Sequence, residues 1–396
     1  MMSTQPSATA MHPHLQPDRL LNWFLEMVQI NSPSGEEAAM CAYLKAWCDQ
    51  RGYASQVDAE GNLIAEVPAI GCEHNSILVL SGHMDVVPPC LDVKPIVSGE
   101  GIDRLVQSDN TTVLGADDKA GLAVLMEALQ VTEDHQLPRP SIRLIFTTRE
   151  ETQLQGAKGL SDEVLKAGFA VTLDHTGVQG TIIHQAPSYA EFKITCHGKS
   201  VHAGIMPEKG VNAIHLASQI INQMHLGRID AETTANLGFI QGGKATNIVP
   251  DKVVIEGELR SLNPKRLQEE IDYLQTLVDQ VGNKFPTDIP YEKPTFWWQE
   301  CFTAYRIPPD DPLLQRVIKA CESAGLVPNL IHTNGGSDNN VFVHRGLPGV
   351  VLSAGYVAPH SLKEQVYLKE LLLSTGFVLE ILTQFSLSPF SQETAI

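Results

Sequence analysis

The sequence predicts an α/β protein: a doubly wound sheet, mixed but mainly parallel, interrupted by a smaller α+β insertion. Short apolar runs at residues 62–67, 77–80, 142–147, 170–173 and 350–353 alternate with helical stretches, as strands covered on both faces do. From about residue 188 the pattern changes, and Ala190, Phe192, Ile194 and Cys196 alternate with Glu191, Lys193 and Thr195. That is a strand with one wet face. A chain of 396 residues also exceeds what a single core usually serves.

Taken in order, Leu20, Leu21, Phe24, Leu25 and Val28 recur at helical spacing, break at Ser32-Pro33-Ser34-Gly35, and resume over residues 38–47. Residues 122–129 are apolar nearly all round, which predicts a buried helix. The insertion reads as strand, helix near 212–224, strands at 235–240 and 253–260, helix near 264–281, then a last strand. This β-α-β-β-α-β order is ferredoxin-like. The limits are set at 1–187 with 301–396 for the discontinuous larger domain and 188–300 for the insertion. Polar tails are expected through about Pro17 and from about Ser386.

The 28 basic and 46 acidic residues give a net charge of −18, so no cationic surplus exists to displace phosphate counterions. Neither nucleic acid nor an anionic membrane is expected as a partner. The seven cysteines are scattered without a CxxC pair, which suggests neither a disulfide framework nor a thiolate metal knuckle. No signal-peptide pattern opens the chain and no run nears ~18 apolar residues. A cytoplasmic location is expected.

The chemistry-bearing residues follow the strands. Residues 77–80 lead through Gly82 to His83-Met84-Asp85, and 142–147 to Arg149-Glu150-Glu151. Residues 170–173 lead to Asp174-His175, and 350–353 to His360 and Glu364. Open α/β sheets form their sites beyond the carboxyl ends of strands, so these exits are expected to converge. Gly82 is read as turning the strand sharply. His83 and Asp85, two residues apart, then point the same way. Asp117-Asp118 opens the buried helix and adds two more carboxylates. Taken singly, each is weak: a surface pair, a helix cap, a charged loop. Together they concentrate negative charge that divalent cations neutralise most simply. Imidazole and carboxylate without thiolate suit zinc, with manganese and cobalt as alternatives.

The segments SGHMDVVP, GADDKAG, TTREET, LDHTG, GKSVHAG, GGKATNIVP, NGGSDNN and APHSLKE occur in this order across most of the chain. In motif and order the sequence resembles the two-zinc exopeptidases and deacylases that include peptidase T, glutamate carboxypeptidase and aminoacylase, most nearly the peptidase T-like branch. The resemblance implies a zinc-exopeptidase-like catalytic domain with a lid and dimerisation insertion, and two zinc ions per subunit. One zinc would be held by His83, Asp117 and Asp174, the other by Asp117, Glu151 and His360. Asp117 is matched to the bridging position because it stands just before Asp-Lys-Ala-Gly, and Asp118 stays open as the alternative. A cis peptide after the bridging aspartate is implied as well.

By the same resemblance Asp85 would accept the second imidazole N–H of His83, and Glu150 would be general base toward a zinc-bridging water. His202 would stabilise the oxyanion, from the other subunit of a homodimer joined through the lid. Asn247, Arg260, Gly335 and Gly336 would bind substrate, the glycines by letting backbone approach it. The implied activity is amide hydrolysis in short peptides, of the tripeptide aminopeptidase kind. A carboxypeptidase or N-acyl-amino-acid deacylase would use the same site. A non-catalytic peptide-binding protein is disfavoured, since Glu150, Asp117 and both ligand histidines are present. Serine hydrolysis and nucleotide binding lack their glycine-framed motifs.

Overall fold

The computed structural model describes residues 11–391. These divide into two compact units. One runs to Gln185 and resumes over Arg306–Thr333 and from Ser337; the other is Ala186–Tyr305 with Asn334–Gly336.

The first unit carries strands β1 (Ala54–Val57), β2 (Leu63–Val67), β3 (Ile77–His83), β4 (Ile96–Ser98), β5 (Leu105–Gln107), β6 (Ser141–Thr147), β7 (Phe169–His175) and β8 (Thr181–Ala186). Its helices over this stretch are α1 (Pro17–Val28), α2 (Ala38–Gln50), α3 (Ala116–His135) and α4 (Gln155–Gly159). The second unit adds β9 (Ser188–His197), α5 (Ala213–Ile221), β10 (Gly227–Arg228), β11 (Thr233–Gly242), β12 (Lys252–Ser261), α6 (Pro264–Lys284) and β13 (Thr295–Phe302). The chain then forms β14 (Tyr305–Arg306), α7 (Pro312–Ser323), β15 (Asn329–His332), α8 (Asp338–His344), β16 (Gly349–Ser353), β17 (Tyr356–Val357), β18 (Gln365–Tyr367) and α9 (Leu368–Ser386).

The main sheet runs β1-β2-β6-β3-β7-β16-β8-β14, with β15 beside β8. Its centre, β6-β3-β7-β16, is parallel. β1, β2 and β8 join antiparallel. From Leu78 onward every residue of β3 is buried, which is why the strand reads as an unbroken apolar run. α3 packs on β3 and β7 and is itself covered by α1 and α9. A separate pair, α4 and α8, lies together, with α8 against β7 and β16. The buried helix is longer than its apolar run, because its polar opening residues Asp117, Asp118 and Lys119 are buried too. A second sheet, β17-β18-β5-β4, sets Val106, Val366 and Tyr356 in register as a buried row.

The second unit orders its strands β10-β11-β12-β9-β13, all antiparallel. Phe192, Ile194, Ile255 and Leu259 pack on Leu216, Ile220, Leu274 and Val278 of α5 and α6. The other face is wet, as the alternation predicts: Lys193 pairs with Glu256 at 2.6 Å, and Arg260 with Glu258 at 3.1 Å. α5 and α6 begin at capping asparagines, Asn212 and Asn263.

The tail expectation is corrected where the residues are described; residues 1–10 and 392–396 lie outside them. Leu15 is buried and His14 stacks on His135 at 3.9 Å, while Phe390 packs edge-on against Phe385. Among the described residues no helix is long and apolar enough to cross a membrane.

Candidate metal centre

The last residue of β3 is His83, and Gly82 continues the strand rather than turning it. The sequence reading of that glycine is therefore corrected. A Cβ on Gly82 would fall 2.5 Å from Oδ2 of Asp118, so the residue is glycine because a carboxylate occupies the space. Gly121 on α3 does the same from the other side, where a Cβ would lie 2.4 Å from Asp118 Oδ1 and 2.4 Å from the Leu173 carbonyl.

His83 is buried. Its Nε2 lies 3.1 Å from Asp117 Oδ1 and 3.6 Å from Asp174 Oδ1. Its Nδ1 faces Asp85, 3.0 Å from the backbone oxygen and 3.4 Å from the carboxylate. The carboxylate thus stands second to its own carbonyl as partner of the ring. Its shorter bonds go elsewhere: it accepts from Ser34 Oγ at 2.7 Å, Glu150 N at 2.9 Å and Glu151 N at 3.2 Å. Asp85 ties the histidine strand to the two-glutamate turn.

Asp117 splits its oxygens: Oδ1 turns to His83, and Oδ2 lies 3.4 Å from His360 Nε2. His360 Nε2 is also 2.7 Å from Glu151 Oε1. Two donor groups share Asp117: His83 with Asp117 and Asp174, and Asp117 with Glu151 and His360. His83 lies near Glu150 and Glu151 as well. Asp118 is in none of these groups. Its Oδ2 accepts the His83 N–H at 3.3 Å, and its buried Oδ1 has no hydrogen-bond partner. The Asp117–Asp118 peptide is cis.

Other groups position the donors, and two of them, Glu37 and Tyr356, escaped the sequence reading. Glu364 follows His360 past the last strand of the main sheet, as the sequence placed it. It is buried and accepts the N–H groups of Gly115 at 2.7 Å and Asp117 at 2.9 Å. Glu37 accepts from Gly35 and Arg149 N at 2.7 and 3.0 Å, bracing the glutamate turn from the Ser34 loop. Tyr356 places its hydroxyl 3.0 Å from Asp117 Oδ1 and 3.3 Å from Asp174 Oδ1. A tyrosine in an apolar segment gives no signal of this kind; Glu37 could have been suspected from its place in the Ser-Pro-Ser-Gly-Glu-Glu loop.

The electrostatics test whether a cation fits. Burial and neighbouring carboxylates push Asp118 and Glu150 well above the usual range. Burial raises Asp174 to about 7 despite its bond to His83. His360 is pushed up to about 10 by Asp117 and Glu151. Among the described residues no lysine or arginine pairs with Asp117, Asp118, Glu150, Glu151 or Asp174. The nearest buried lysine, Lys119, gives its ammonium to the Ile30 carbonyl at 2.7 Å. Carboxylates and imidazoles converging without a fixed counter-charge are a donor set that fits divalent metal.

The remaining predicted residues lie in the second unit. His202 is exposed, and its ring accepts the Gly204 N–H at 3.2 Å. It bridges to Ile248, while Ala203 N bonds the Asn247 carbonyl at 2.9 Å, so the two predicted segments adjoin. Arg260 stacks 4.5 Å above Tyr189 and donates to the Asn334 carbonyl at 3.0 Å. A Cβ on Gly336 would meet the Phe302 ring at 2.2 Å, so the close approach made there is to an aromatic ring of the same unit.

Comparison with known proteins agrees with this geometry. The model of a peptidase dimerisation domain matches residues 186–286, and that of peptidase family M28 matches residues 62–228. The uncharacterized protein YqjE of Bacillus subtilis is 36% identical over 92% of this chain and 98% of its own. Aminopeptidase PepT from Bacillus cereus is 34% identical, with a TM-score of 0.86 over 94% of this chain and 99% of its own. A tripeptidase from Staphylococcus aureus is 34% identical, with a TM-score of 0.89 over 95% and 100%. Fold, donor groups and relatives together establish metal-dependent peptide hydrolysis, and the chain belongs to the peptidase T-like family of metallopeptidases.

Proposed function

We propose that this protein is a two-zinc aminopeptidase acting on tripeptides. The observation that carries the reading is Asp117, whose two oxygens face two different histidines and join two donor groups. His83, Asp117 and Asp174 would hold one zinc, and Asp117, Glu151 and His360 the other. The two cations, once bound, polarise the scissile carbonyl and acidify the attacking water.

Glu150 is the general base in this reading. Its N–H is fixed by Asp85, and its carboxyl resists ionisation when no cation is near, a group able to take a proton and return it. It would receive the proton of the attacking water and pass it to the departing amine. Asp85 holds both the ring of His83 and the turn that carries Glu150, so metal ligand and base are set by one residue.

The second unit, close to residues 188–300, would serve as lid and dimerisation domain, with His202 meeting the developing oxyanion and Asn247, Arg260, Gly335 and Gly336 at the substrate. The match to a peptidase dimerisation domain supports a homodimer, as do Phe239 and Ile240, 46% and 60% exposed on β11. Light scattering of the eluted protein tests it.

The relatives' names support the tripeptide preference; one is an aminopeptidase and another a tripeptidase. The test is product analysis by mass spectrometry on zinc-loaded protein given tripeptides, dipeptides and N-acyl amino acids. Release of the N-terminal residue from tripeptides, abolished by chelator, is expected. Release of a C-terminal residue or an acyl group would overturn the aminopeptidase assignment and leave the metal site standing.

A further inference from the structure

Tyr356 opens β17 in register with Val366 of β18, and only 2% of it is exposed. Its backbone is held by a sheet and its ring by the buried row beneath α3, so the hydroxyl has little freedom. That hydroxyl lies 3.0 Å from Asp117 Oδ1 and 3.3 Å from Asp174 Oδ1. These are the same two oxygen atoms that face His83 Nε2. A phenol has one proton to donate, and here two carboxylate oxygens stand within reach of it. These bonds go to neither Glu151 nor His360, which stand with Asp117 in the other donor set.

We propose that Tyr356 is a positioning residue for the His83 side of the centre: its O–H fixes the oxygens of Asp117 and Asp174 that this side presents to a cation. The inference rests on the two-metal reading above. A carboxylate held in one rotamer by a rigid donor loses less freedom when it takes up a cation, and removing such an outer partner typically weakens metal affinity ~10–100-fold. Because Asp174 serves one side alone, the loss falls on one of two metal equivalents.

The test is Tyr356→Phe, which keeps the ring and removes only the hydroxyl, with zinc titrated against a chromophoric chelator. Wild type is expected to take two equivalents. The variant should bind one as before and the other ~10–100-fold more weakly, and turnover should recover as zinc is raised. The melting temperature of the metal-free variant confirms that it folds. His360→Ala, altered on the opposite side, should weaken the other equivalent, and the double variant both. Two unchanged equivalents in Tyr356→Phe, or equal weakening of both, overturn the role given to the hydroxyl. Fewer than two equivalents in wild type would instead overturn the two-metal reading.

Discussion

Replacing Asp85 tests the centre where its geometry is most concentrated. The carboxylate is fully buried, accepts three hydrogen bonds of 2.7, 2.9 and 3.2 Å, and stands 3.4 Å from His83 Nδ1. Hydrogen bonds to a charged group contribute ~1.5–3 kcal/mol each, and a buried N–H left without a partner costs ~1–3 kcal/mol. Asp85→Ala orphans the N–H groups of Glu150 and Glu151. Since neighbouring contributions do not add fully, a loss of ~3–5 kcal/mol is expected. At ~2–4 °C per kcal/mol that is a fall of roughly 6–20 °C in the melting temperature of the unit. Asp85→Asn keeps the shape and one acceptor oxygen but turns a donor toward groups that themselves donate, so it should fall between. Both variants should bind zinc ~10–100-fold more weakly, with His83 no longer held. Turnover should drop by ~100-fold or more, because a base displaced by an ångström loses about that much. Differential scanning fluorimetry and chelator competition read the first two effects, and tripeptide hydrolysis the third. If both variants melted and bound zinc as wild type does, the shared anchor would be refuted.

Other outcomes follow from the same contacts. Glu150→Gln should retain both zinc equivalents by chelator competition while its turnover falls ~100–10,000-fold; near-normal turnover would remove Glu150 as base. Stripping the metal should make stability depend on pH in one direction. Burial raises Asp174 to about 7 and Asp338 to about 6, above their ordinary 3.8, so their protonated forms favour the fold at low pH and that contribution is lost as pH climbs through 6 to 7. His360, raised to about 10, loses stability with rising pH as well. Metal-free protein should therefore melt lower at pH 8 than at pH 5.5, and a reversed trend would contradict the buried-charge account. Gly121→Ala places a Cβ 2.4 Å from the Leu173 carbonyl, a backbone atom, and should destabilise by ~1–3 kcal/mol; an unchanged melt would deny the close approach of α3 to β7.

The central strands were legible because burial on both faces writes an apolar run into the sequence, and the donor residues His83, Glu151 and Asp174 because each stands shortly past such a run. β4, β5, β17 and β18 were not legible, since two or three residues are too few to show a period. Asp117 was matched to the bridge only through the resemblance, with Asp118 left open, because the residues are identical neighbours; the chain path turns Asp117 toward both histidines and seats Asp118 between Gly82 and Gly121. Glu364 was picked out as an acidic residue past the last strand, but its task was not legible: the chain turns between His360 and Glu364, and the carboxylate reaches back to the start of α3. Gly82 was rightly singled out for the wrong cause, close packing rather than a turn.

Glu364 and His360 stand late in the chain, yet Glu364 closes on N–H groups 249 and 247 residues earlier. On the proposed reading, a ribosome making this protein must pass residue 360 before the second donor group can exist. Nascent or prematurely ended chains that stop short of His360 carry only half a centre. On that reading the order of the residues keeps the second donor group from assembling until His360 has been made.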